Sequence, residues 1–146
     1  MKNNKVVAVI YLLILSFAAY IALMTVTQPD YFIGREYDVY VINGFKNNSS
    51  LPLVIWCRSQ DDEIGGRALQ EGDDFSWRLR TNLWNKPLFT CTVKWDQLRR
   101  RFDAFYVDRD SHRCAPFLKC FWLVKEDGFY FSNDGVNWKK DFSWAS

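Results

Sequence analysis

Histidine is nearly absent from this sequence: His112 is the only one in 146 residues. That shortage excludes histidine-rich metal sites and leaves a single imidazole for acid–base chemistry. Ser111 adjoins it, but adjacency in sequence does not create a nucleophile–base geometry. No Gly-rich phosphate loop and no H-E-x-x-H run occurs. A carboxylate pair of glycosidase type can be drawn in almost any protein and carries little information. The chain is therefore read as a non-enzyme with no cofactor and no metal. Internal repeats and low-complexity segments are missing as well.

Charge is absent from one long stretch. Lys2 and Lys5 open the chain, and Val6 to Met24 then carries no charged side chain. A short positive start before an apolar run is the pattern of a secretory signal peptide. The run also approaches the ~20 residues that span a bilayer, so a retained anchor is the rival reading. Thr25 and Thr27 are small, and Gln28-Pro29-Asp30 turns polar. Cleavage is expected between Ala22 and Gln28, giving a signal peptide over residues 1–27 and a mature domain over 28–146. Removing Lys2 and Lys5 leaves 17 basic against 17 acidic side chains, so the net charge of +2 falls to zero. That balance argues against nucleic acid as a partner. Any membrane contact would run through a receptor unless the N-terminal segment is retained.

What is abundant is aromatic. Phe, Trp and Tyr make up 18% of the chain, with seven tryptophans. One domain of this size cannot fully bury that many large rings. Cys57, Cys91, Cys114 and Cys120 all follow the apolar run. An even count behind a signal peptide reads as two disulfides, with three pairings open. Zinc is disfavoured, because the closest cysteines, Cys114 and Cys120, lie farther apart than zinc ligand pairs usually do.

The mature part reads as about eight short strands, an all-β, disulfide-stapled sandwich. Phe75, Trp77 and Leu79 alternate with Ser76, Arg78 and Arg80, and Phe89 to Trp95 repeats that period of two. Further strands are expected over 37–45, 51–57, 102–107, 120–125, 129–132 and 137–142. Residues 61–66 read as a loop, and 64–69 and 96–101 could each hold one helical turn. Val39-Tyr40-Val41 and Leu53-Val54-Ile55 are expected to pair across the turn Lys46 to Ser50.

Trp56-Cys57-Arg58-Ser59-Gln60-Asp61-Asp62-Glu63-Ile64-Gly65 resembles the His-Cys-x-Ser-x-Asp-Asp-Asp-Leu-Gly run of the plant self-incompatibility S-protein homologue family. The resemblance continues through Leu69, Gly72, Phe75-Ser76-Trp77, Leu88-Phe89-x-Cys91 with Trp95, and Phe102-x-Ala104-Phe105. It ends with Arg113-Cys114, Cys120-x-Trp122, Gly128-Phe129-Tyr130 and Trp138, and so covers roughly Tyr37 to Trp144. It implies a secreted eight-stranded sandwich with two disulfides, often glycosylated, that acts as a signalling or recognition ligand. In the best-known relatives such a protein of the female tissue is recognised by a pollen receptor. Trp56 departs from the family's histidine, and Glu63 and Ile64 are milder changes. The Cys114–Cys120 spacing is longer than in typical members, and Arg99-Arg100-Arg101 is outside the pattern.

Candidate sites follow from chemistry. Asn47 and Asn48 each open an N-x-Ser acceptor in an expected turn. Asp61, Asp62 and Glu63 are candidates for partner contact, or for bonding backbone N–H groups of their own loop; calcium needs more oxygens than they offer. Arg99, Arg100 and Arg101, read as a loop beside Trp95 and Phe102, form a basic patch that Arg109, Arg113 and Lys119 could extend. Trp56 and Trp84 would anchor a partner if exposed. The expected partner is a cell-surface protein receptor. The competing function is a carbohydrate-binding or defence protein.

Overall fold

The computed structural model describes residues 2–27, 34–48, 50–82 and 84–145. They form two compact units, residues 1–34 and 35–146. The first holds one helix, α1 (Lys2–Thr27), whose span Asn3–Met24 has a mean hydropathy of 2.7. It is long and apolar enough to cross a membrane. The expected cleavage boundary at Gln28 lies outside the described residues.

The second unit is a sandwich. Its strands are β1 (Arg35–Asn43), β2 (Leu53–Ser59), β3 (Glu63–Leu69), β4 (Asp74–Thr81), β5 (Leu88–Trp95) and β6 (Leu98–Tyr106). A short helix α2 (Val107–Arg113) follows, then β7 (Lys119–Lys125), β8 (Gly128–Ser132) and β9 (Lys139–Phe142). One sheet has the order β4-β1-β7-β8-β9 and the other β3-β2-β5-β6. All pairings are antiparallel except β1 with β7.

Alternation explains the layering. In β2, Leu53, Ile55 and Cys57 are buried while Val54, Trp56 and Arg58 face outward. A slip of one residue would turn the apolar row to water, so the pattern fixes the register. Tyr37, Val39 and Val41 of β1 and Trp122 of β7 fill the same core from the other sheet. Two buried polar groups tie the sheets together. The Trp122 indole N–H donates to the Ala104 carbonyl at 2.9 Å, and the Asn43 amide donates to the Leu69 carbonyl at 2.9 Å.

Four sequence expectations are corrected. β1 and β2 do not pair: the chain between Asn43 and Leu53 is long enough to cross from one sheet to the other, so their apolar rows meet in the core. Residues 63–69 are a strand, not a loop or helical turn. Gly66 stands opposite Trp56, and a Cβ there would lie 2.5 Å from the Ile55 carbonyl oxygen and 2.9 Å from Trp56 Cβ. That glycine serves close approach rather than a turn. Residues 96–101 are not helical either, because Asp96, at φ 51°, turns the chain so that Trp95 pairs with Leu98. Arg99 to Arg101 therefore lie on strand β6, not in a loop. The polar segment around His112 is helix α2.

Candidate functional site

The cysteines pair as Cys57–Cys91 and Cys114–Cys120. The first bridges directly opposed residues of β2 and β5. The second closes the segment between α2 and β7.

Strand direction sorts the connections to two ends of the sandwich. The β1–β2, β3–β4, β5–β6 and β7–β8 connections share one end. Asn47 and Asn48 lie there, both exposed, and the Asn48 N–H donates to the Glu71 carboxylate at 2.9 Å. Ser49, the serine of the Asn47 acceptor, lies outside the described residues, and the Asn48 acceptor uses Ser50. The β2–β3 and β4–β5 connections occupy the other end.

At that second end two loops flank a cleft of about 370 Å³, with Asp61 and Asp62 on one side and Asn85 and Lys86 on the other. Ser59 builds the acidic turn. Its N–H donates to the Asp62 carbonyl at 2.7 Å, and its hydroxyl accepts from the Asp62 N–H at 3.0 Å. The expectation that aspartate carboxylates satisfy this backbone is thus corrected: a serine one turn earlier does it. Asp61, Asp62 and Glu63 are exposed, and among the described residues no ion pair engages them. Asn82 organises the opposite loop, its side-chain oxygen accepting from the N–H groups of Trp84 and Asn85 at 2.9 and 2.6 Å. That turn holds Trp84 outward at 90% exposure.

A second surface is the outer face of the four-stranded sheet. It carries Trp56, 39% exposed, with the Arg99 guanidinium 5.5 Å from the ring centroid. Arg101 lies on the same face, opposite Thr92, which is itself opposite Trp56. Arg100 points the other way, its guanidinium 5.1 Å from the Phe142 ring, with Nε buried and without a hydrogen-bond partner. The triplet is split because successive residues of a strand face opposite sides.

Arg109 and Arg113 do not extend this patch. Both bind Asp110, which is fully buried, and the Tyr106 N–H also donates to it at 2.9 Å. The Arg113 guanidinium further lies 3.7 Å from the Phe131 ring centroid and the Arg109 guanidinium 4.3 Å from that of Tyr106. Sequence reading missed Asp110. The only trace of it is an acid flanked by arginines one and three positions later or earlier on a short helix. Lys119 is exposed on β7, in the five-stranded sheet. Among the described residues no group of three or more His, Cys, Asp or Glu side chains could hold a metal.

The class defined by this fold is the disulfide-linked two-sheet β-sandwich with loops gathered at its ends. The family model for plant self-incompatibility protein S1 matches residues 38–144, and the chain belongs to that family. S-protein homolog 24 of Arabidopsis thaliana is 31% identical over 68% of this chain and 65% of its own length. S-protein homolog 6 of the same plant is 35% identical over 58% of this chain and 60% of its own length. The chain thus spans less than two thirds of either. S-protein homolog 74, also from Arabidopsis thaliana, is 28% identical over 90% of this chain and 87% of its own length. No solved structure gives a significant match.

Proposed function

We propose that this chain is a secreted extracellular recognition ligand for a cell-surface protein receptor, acting in plant cell–cell communication, of which self-incompatibility is one form. Residues 1–27 would be its signal peptide and 28–146 the mature domain. Family membership and the apolar N-terminal helix support secretion. Two disulfides suit an oxidising compartment.

The observation that carries the reading is Trp84. A tryptophan held in the open by a hydrogen-bonded turn costs stability nothing to expose and offers a large, rigid contact. Asp61 and Asp62 across the cleft, with Glu63 beside them, would set charge and register. Trp56, Arg99 and Arg101 form a separate candidate contact surface on the outer face of the four-stranded sheet, and Arg100, turned to the Phe142 ring, drops out of it. A glycan on Asn47 or Asn48 would project from the opposite end and leave these loops clear.

Two measurements test this. N-terminal sequencing of the form released by plant cells should start between residues 23 and 28. Photo-crosslinking from position 84 should capture one discrete membrane protein. An intact N-terminus contradicts the signal peptide, and capture equal to that from a site on β9 contradicts the docking end.

A further inference from the structure

We propose that the outer face of the four-stranded sheet binds an acidic polysaccharide, a chain of linked uronate sugars. This surface is separate from the Trp84 end, so it does not depend on the receptor reading. Register lays the face out in rows. Ala68, Val54, Lys94 and Arg99 form one row, and Gly66, Trp56, Thr92 and Arg101 the next. A third holds Glu63, Arg58, Thr90 and Asp103.

The cations of this face are open. Among the described residues Arg58, Lys94, Arg99 and Arg101 form no ion pair. On the other sheet Arg78 and Arg80 are each closed on a carboxylate, Asp38 and Glu36. Both carboxylates of the basic face stand in the third row, so Lys94, Arg99 and Arg101 are the only charged residues of the first two rows. Strands ~4.8 Å apart, with side chains repeating every ~6.8 Å, make this a regular array.

The chemistry favours a sugar polymer over a protein. Protein interfaces build on an apolar core and are poor in lysine. Here Val54 and Trp56 are the large apolar side chains, and both lie among cations. An indole face attracts the positively polarised C–H groups of a sugar ring, as it attracts Arg99. Arginines at 99 and 101 would grip carboxylates of successive uronates, and Thr92 would add a hydroxyl between them. The neutral overall charge of residues 28–146 makes the attraction local to this face rather than a property of the molecule.

The test is a titration of the full-length chain, as plant cells yield it, with polygalacturonate. Binding should fall steeply between about 50 and about 200 mM salt. It should be lost when the carboxylates are methyl-esterified. Arg99→Gln with Arg101→Gln should weaken it about tenfold or more, while Lys119→Gln with Lys140→Gln on the other sheet should change it less than about twofold. Near-UV circular dichroism checks that both variants fold. Absence of binding, equal binding of the esterified polymer, or equal loss in the two variants overturns the proposal. So does tighter binding to polyglutamate or to phosphatidylserine vesicles.

Discussion

Asp110 has no solvent exposure, and two guanidinium groups and one backbone amide converge on it. Removing one member of a buried ion network leaves the others uncompensated. Asp110→Asn should therefore cost about 3–5 kcal/mol in urea unfolding, far more than a surface change. A loss below about 1 kcal/mol would mean that the network is dispensable. Asp134 shows the opposite case, a carboxylate in an exposed turn. It accepts from the N–H groups of Val136 and Asn137, from the Ser132 hydroxyl and from the Asn137 amide. Those donors hold its pKa well below the usual carboxylate range, the backbone N–H groups contributing most. A depressed folded-state pKa means that the contribution to stability is complete above the unfolded value of ~3.9 and is lost as pH falls below it. The Val136 and Asn137 amide resonances should therefore hold steady from neutral pH down to ~4 and move only below it. Movement centred near neutral pH would contradict the turn. Some residues were legible from sequence, the four disulfide cysteines among them, whereas the exposure of Trp56 and Trp84 was not. Asp110 was not, because its burial depends on where a short helix lands.

Strands with a period of two were readable: in β2, β4 and β5 alternate residues turn toward the core and away from it. β3 was not, since its glycines carry the usual signature of a loop. The role of Gly66 comes from β2, whose Ile55 carbonyl and Trp56 Cβ leave no room for a side chain opposite, while Gly65, at φ 122°, serves the backbone conformation. Gly66→Ala should cost about 1–3 kcal/mol by pushing β3 from β2, and Trp56→Ala, which keeps the Ile55 carbonyl and the Cβ of residue 56 in place, should recover none of that loss. Recovery of stability in the double variant would show that the indole, not the backbone, sets the close approach. Cys57 and Cys91 lie on adjacent strands already joined by backbone hydrogen bonds. Replacing both by alanine should lower stability by about 2–4 kcal/mol, read as a lower urea midpoint.

The whole molecule is where sequence told least about pairing and most about class. All-β character, two disulfides and the family pattern were all present in the chain. The assignment of β1 and β2 to different sheets was not, because a turn-rich segment between two apolar strands looks the same whether it closes a hairpin or crosses a sandwich. That assignment matters for function. It sends the acceptor asparagines to one end, and the acidic turn and Trp84 to the other. The basic face lies between. The most direct test of recognition through the Trp84 end is saturable binding of labelled, released protein to intact plant cells, compared between the unaltered chain and Trp84→Ala. Docking through Trp84 predicts at least about a tenfold weaker apparent Kd for the variant, with an unchanged urea midpoint, as expected of an exposed anchor. Equal binding by both proteins would contradict it.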